Sequence, residues 1–197
     1  TEIYPLSLHD ALPIFDSHET SHLWFGNIVQ LNWTEDLWEK EVIANFLASK
    51  MTRKQTNATE SDINFLNTYQ NRAIAVDRTD GTHAIEQPSI VNHSTLLYDN
   101  IIYNKATVMM RSLESIMEAT KMQKSLRSFI QKHYFKDATW EDLIETLDKE
   151  NPTVGVRQFC EVWVKQKGMP IIHISYKNGQ LVVSQTDPFG RGLCWNR

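Results

Sequence analysis

Apolar residues recur every three or four positions along most of this chain and alternate with polar ones only near its end. That pattern predicts a mainly helical protein finishing in β-structure. A first helix is expected over residues 16 to about 26, stopped by Gly26-Asn27, with Ile28 to Trp33 as a short apolar connector. Thr34 reads as the N-cap of a second helix, with Glu35 and Asp36 in its first turn complementing the helix dipole. This helix runs to about Lys50 and sets Leu37, Trp38, Glu41, Ala44 and Phe46 near a common inward side. Residues 51 to 60 are polar and loop-like, and Thr59-Glu60-Ser61-Asp62 caps a helix to about Ala73. Residues 77 to 98 hold Gly81, Pro88 and several Asn, Ser and Thr, and read as an irregular surface excursion.

Tyr103 stands near the start of the next helix, which runs through Met109, Met110, Leu113, Ile116 and Met117, a stripe that reads as core. Further helices are expected at about 119 to 134, 139 to 149 and 154 to 167. Thr139-Trp140-Glu141-Asp142 has the form of a capping box with Asp in place of the usual Glu. After Gly168-Met169-Pro170 the period changes to two. Ile171 to Tyr176 and Leu181 to Gln185, joined through Asn178-Gly179, predict a β-hairpin. No internal repeat or low-complexity segment interrupts the series.

With 197 residues, 41% hydrophobic and 10% aromatic, the chain can bury one ordinary core. A net charge of −4 without a basic stripe argues against nucleic acid as a partner. No apolar run approaches the roughly 18 residues of a membrane helix. Cys160 and Cys194 are too few to indicate a redox compartment, and a buried free thiol is the expected state of Cys160. Ile3-Tyr4-Pro5-Leu6-Ser7-Leu8-His9-Asp10-Ala11-Leu12-Pro13-Ile14 resembles translated sequencing-adapter readthrough, so residues 1–14 are set aside as non-native and His9 is given no role.

The chemistry concentrates in His18-Glu19-Thr20-Ser21-His22 and in Glu41. Residues four apart share a helix face, so His18 and His22 can offer imidazoles to one metal, with Glu41 as third ligand. Two His and one Glu leave a fourth position open, which distinguishes a catalytic zinc site from a structural one. Glu19 projects from a neighbouring face, where its carboxylate can act on solvent without ligating. At this chain's His and Glu usage the five-residue motif arises by chance in roughly 2% of such sequences, and a Glu at one fixed later position lowers that to roughly one in a thousand. A pair of merely solvated histidines is therefore disfavoured. Glu41 among apolar neighbours also calls for a cation.

The run His18 to Asn27, then Asp36-Leu37-Trp38 and Glu41, resembles the M1 zinc aminopeptidases, the gluzincin branch of thermolysin-like peptidases. In that family two motif histidines, and a glutamate after the eighteen residues here numbered 23 to 40, bind zinc. Tyr103-Asn104-Lys105, with the helix through Arg111-Ser112-Leu113, is similar to the family's catalytic-tyrosine segment; Ala75-Val76-Asp77 and Thr82-His83 also run parallel to it. The resemblance covers about residues 16 to 195. It implies the helical part of a thermolysin-like catalytic domain at residues 15–168, followed by the first strands of a small β-sandwich domain at 169–197. It further implies one Zn²⁺ held by His18, His22 and Glu41, Glu19 as general base, Tyr103 as hydroxyl donor to the oxyanion, and a peptide substrate. The chain is expected to be an internal piece of a longer enzyme, weakly stable and inactive by itself. In the family, a Gly-x-Met-Glu-Asn segment that binds the substrate amine lies upstream.

Two departures stand out. The chain reads Lys40-Glu41-Val42-Ile43-Ala44 where most members have Asn-Glu-Gly-Phe-Ala, and Ala106-Thr107 where most have Gly-Ala. Each removes a helix-interior glycine, which stiffens the helix; similar replacements occur in a bacterial branch. The motif alone does not separate an aminopeptidase from an endopeptidase or an epoxide hydrolase built on the same site. A non-catalytic relative using the scaffold for protein interaction is the other class, and retention of all four groups argues against it. Asn45, four residues after Glu41, either orients a ligand histidine or is simply buried. Lys105 reads as solvated, His83, His93, His133 and His173 as ordinary, and Trp24, Phe25 and Trp38 as core around the site.

Overall fold

The computed structural model describes residues 8–31, 37–55, 57–86, 100–192 and 194–195. The expected Thr34 cap with Glu35 and Asp36, and Pro88 and His93, lie outside the described residues, as do the side chains of His9 and Leu37. The fold is mainly helical. In chain order the elements are α1 (Leu8–His22), β1 (Val29–Leu31), α2 (Leu37–Gln55), α3 (Ala58–Phe65), a π-turn (Leu66–Gln70), α4 (Asn71–Asp77), a second π-turn (Ile101–Lys105), α5 (Ala106–Met117) and α6 (Ala119–Lys132). They are followed by β2 (Lys136–Ala138), α7 (Trp140–Glu150), α8 (Val156–Lys165), β3 (Ile171–Lys177) and β4 (Gln180–Thr186).

Several boundaries move. α1 begins at Leu8 and runs through Pro13, although a proline inside a helix removes a backbone donor and crowds the carbonyl four residues back; Leu8, Ala11 and Leu12 before it are good helix formers. It ends at His22, four residues before the glycine expected to stop it. α2 continues through the polar stretch Met51–Gln55, whose Lys and Arg are good helix formers on a solvated face. The next helix starts one residue before Thr59, with the Asn57 side chain accepting from the Thr59 N–H at 2.9 Å. Val29–Leu31, inside the expected connector, pairs in parallel with Lys136–Ala138.

The core lies among α2, α5, α6, α7 and α8. Val42 and Ile43 of α2 and Ala106 and Thr107 of α5 are fully buried, so the residues replacing helix glycines fill the interior. Met109, Met110, Leu113 and Met117 are buried as expected, whereas Ile116 is exposed. Cys160 is a buried free thiol, pushed up by desolvation, and Cys194 is exposed. No helix among the described residues is long and apolar enough to cross a membrane.

The expected capping box forms: Thr139 Oγ1 accepts from the Asp142 N–H at 3.2 Å, and Asp142 Oδ2 accepts from the Thr139 N–H at 3.0 Å. Burial pushes the Asp142 carboxyl up, but the Thr139 N–H and hydroxyl and the charges of His133 and Lys132 outweigh it and hold it below its ordinary 3.8. Its contribution to stability is therefore complete above that ordinary value and is lost as pH falls through the lower folded one. Thr139→Ala is expected to cost about 1 kcal/mol in denaturant melts at neutral pH, and the difference from the parent should shrink below about pH 4. An equal difference at both pH values would show that the Thr139 hydroxyl's bond to the Asp142 carboxylate contributes nothing, and no difference at neutral pH would contradict the capping role.

β3 and β4 pair antiparallel from Ile171↔Thr186 to Lys177↔Gln180. Asn178 (φ 52) and Gly179 (φ 80) both take positive φ, the backbone of a type I′ turn.

Candidate metal centre

α1 packs along α2, and their facing sides bring three side chains together. His18 and His22 stand one turn apart, with ring centroids at 4.7 Å. Their Nε2 atoms are 3.1 Å apart; His18 Nε2 lies 3.3 Å from Glu41 Oε2, and His22 Nε2 lies 3.8 Å from Glu41 Oε1. His18, His22 and Glu41 form the one group of three potential metal-ligating residues among the described residues, each half-buried, with their ligand atoms within 4.8 Å of one another.

The hydrogen bonds behind the rings decide what the front can do. His22 Nδ1 donates to the Phe25 carbonyl at 3.2 Å, and His18 Nδ1 donates to Asn45 Oδ1 at 3.0 Å. A neutral imidazole with its proton on Nδ1 has a lone pair on Nε2. Two lone pairs and a carboxylate then converge, an arrangement of acceptors that needs a proton or a cation among them. Ligands held about 2.0–2.1 Å from a tetrahedral ion are separated by roughly 3.3 Å. The observed separations of 3.1, 3.3 and 3.8 Å fit such a donor set.

The turn after α1 supplies the Phe25 carbonyl. Gly26 has φ +135, and a Cβ there would lie 3.2 Å from the His22 carbonyl oxygen, so the chain can turn back over His22 only with glycine. The Gly26 N–H donates to the Val29 carbonyl at 2.9 Å and closes the turn on itself. The Phe135 N–H donates to the Ile28 carbonyl at 2.8 Å and ties the turn to the segment before β2.

The electrostatics follow the same contacts. The hydrogen bond to Glu41 raises the His18 imidazole above its ordinary 6.5, with the Glu41 charge adding to it and burial opposing it. Burial pushes Glu41 up, but the His18 hydrogen bond and the charges of His22, His18 and Lys40 hold it below its ordinary 4.5. Each group thus stabilises the charged form of the other, and a cation arriving between them competes with a proton.

Glu19 is exposed on α1, one residue from His18, and its charge contributes to the raised His18 value. Tyr103 comes from a separate element, the second π-turn, which packs against α2; the ring is partly buried against the core. Asn45, for which the sequence leaves two readings, is both buried and bonded to His18.

Two expectations are corrected. Lys105 is not solvated: it is 1% exposed and pairs with the fully buried Asp77 at 3.0 Å. Its partners lie 28 to 63 residues away in sequence, so local pattern carries no sign of them. Phe25 and Trp38 are core, but Trp24 is 41% exposed, because the turn after His22 swings it outward. His83 bonds the Ala84 carbonyl, His133 the Asp137 carbonyl and His173 the Thr186 hydroxyl, and none joins the cluster.

The same stretch is shared with known proteins. The family model for the peptidase family M1 domain matches residues 14–163. The chain is 31% identical over 180 residues to aminopeptidase M1-A of Oryza sativa subsp. japonica, covering 89% of this chain and 20% of that protein. It is 31% identical over 173 residues to aminopeptidase M1 of Arabidopsis thaliana, covering 86% and 19%. Against aminopeptidase N of Lactococcus lactis subsp. lactis it is 29% identical over 182 residues, covering 88% and 21%. The chain thus spans about a fifth of the length of the curated relatives it matches. The matched stretch contains the whole histidine–glutamate cluster, and the chain belongs to peptidase family M1.

Proposed function

We propose that the protein is a zinc-dependent aminopeptidase, in which His18, His22 and Glu41 hold one Zn²⁺ and Glu19 and Tyr103 act on the substrate. The convergence of two Nε2 lone pairs and a carboxylate, with both Nδ1 atoms engaged behind them, carries this reading. A bound zinc ion would supply Lewis acidity and lower the pKa of a coordinated water to roughly 7. The Glu19 carboxylate takes a proton from the attacking water and passes it to the departing amine nitrogen as the C–N bond breaks. The Tyr103 hydroxyl donates to the oxygen that gains charge on the scissile carbonyl. The names of the relatives support an exopeptidase rather than an endopeptidase.

The test uses the intact protein. One zinc per chain is expected, with chelator-sensitive hydrolysis of amino-acid anilides and none of their N-acetylated counterparts. Absence of stoichiometric zinc uptake would remove the metal reading; equal hydrolysis of the acetylated substrates would remove the aminopeptidase one.

Asn45 offers a graded check. Its amide oxygen fixes the His18 ring with Nε2 forward, so Asn45→Ala is expected to weaken zinc binding by about 10–100-fold. Competition titration with a chromophoric chelator reads this directly, and an unchanged affinity would show that the hydrogen bond does not orient the ligand.

A further inference from the structure

We propose that Lys105 and Asp77 are a positioning pair that sets where Tyr103 stands, tying the oxyanion donor to the segment leading into the β-hairpin. The inference rests on the role given to Tyr103 above. Lys105 and Tyr103 share one five-residue π-turn, Ile101–Lys105, closed by the Ala106 N–H on the Ile101 carbonyl. Residues two apart point to different sides of such a turn, so Lys105 grips it from the side that Tyr103 does not use.

The grip is buried and many-sided. Lys105 Nζ lies 3.0 Å from Asp77 Oδ2 and 3.3 Å from Oδ1, and donates to the carbonyls of Gly168 at 2.9 Å and Gln166 at 3.3 Å. Asp77 Oδ1 also accepts from the Thr82 hydroxyl at 2.5 Å and from the Gly168 N–H at 3.0 Å. The end of α4, the π-turn and residues 166–168 therefore meet at one ion pair.

That junction is held from the hairpin side too. Gly168 has φ +81, and a Cβ on it would lie 2.7 Å from the Phe189 ring. Arg191 donates to the Lys167 carbonyl at 2.9 Å and pairs with Asp187 at 2.9 Å, closing the loop after β4 onto the same segment.

Stability alone does not account for the pair. Replacing a buried ion pair with packed apolar side chains of similar volume is often neutral or stabilising. What an apolar replacement would lose here is the set of hydrogen bonds that Asp77 and Lys105 make to Thr82, Gln166 and Gly168, and with it a fixed, directional attachment of the π-turn that carries Tyr103.

The test is a kinetic cycle in the intact protein. Lys105→Met/Asp77→Leu removes both charges together and so leaves neither buried alone. With Tyr103 present, it is expected to keep one zinc and a KM within about threefold while kcat falls about tenfold or more. In the Tyr103→Phe background the same double change should alter kcat by less than about twofold. Equal losses in both backgrounds, or an unchanged kcat per zinc, would overturn the proposal. If the double variant does not fold, Thr82→Val removes one donor to Asp77 and goes through the same cycle. A loss of about threefold confined to the Tyr103 background is then expected, and an equal or absent loss overturns the proposal. Tyr103→Phe with undiminished kcat would remove the tyrosine's role itself, and the positioning role with it. A defective Tyr103→Phe with additive losses would remove the positioning role alone.

Discussion

Replacing Glu19 with glutamine in the intact protein is expected to lower kcat by about 10²–10⁴-fold while zinc stays bound at one per chain. Glutamine keeps the size and the hydrogen-bonding reach of the side chain but cannot take up a proton at neutral pH. Glu19 stands outside the cluster of converging donor atoms, exposed on α1, so its loss removes a proton acceptor and leaves the ligand set whole. Substrate binding should change little, because in the proposed role the carboxylate would act on water rather than on the peptide, and the effect should fall on kcat. Zinc content measured beside steady-state kinetics separates the outcomes. Full activity in the zinc-loaded variant would exclude Glu19 as the base, whereas lost zinc would place it among the groups that build the site.

How much of this was legible in the sequence depends on range. The proximity of His18 and His22 follows from a spacing of four on one helix, and the Asn178-Gly179 turn and the Thr139–Asp142 capping box are equally local. Each is set by residues within one turn of one another, which is the scale on which sequence pattern speaks. Glu41 is farther away, and the family resemblance rather than periodicity points to its place opposite the histidines. The β1–β2 pair escapes notice because each strand is three residues long and the partners lie more than a hundred positions apart. Lys105 escapes for the same reason: an isolated lysine at a helix start looks solvated until Asp77, Gln166 and Gly168 close around it. Polarity also misleads at Met51–Gln55, where charged helix formers continue α2 along a solvated face.

Glu41→Gln separates ligand from base from the other side. The substitution keeps an oxygen at the same place but removes the negative charge that faces both imidazoles. Zinc binding by a four-ligand protein site is worth about 10–16 kcal/mol, so one ligand carries roughly 3 kcal/mol, and its loss weakens affinity by about 10²-fold or more. Stabilisation by zinc should fall with it. At free zinc 100 times the parent Kd the parent gains about 2.7 kcal/mol, whereas a variant binding 100-fold more weakly gains only about 0.4 kcal/mol at the same concentration. Thermal melts with and without zinc would show this as a collapsed shift in Tm. Glu19→Gln should retain the full shift, and Asn45→Ala should fall between the two, because Glu41 would touch the ion and Asn45 only the ring behind it. A Glu41→Gln variant that melts like the parent across the zinc series would mean that Glu41 is not a ligand, and the open fourth position on which the proposed chemistry depends would have no site.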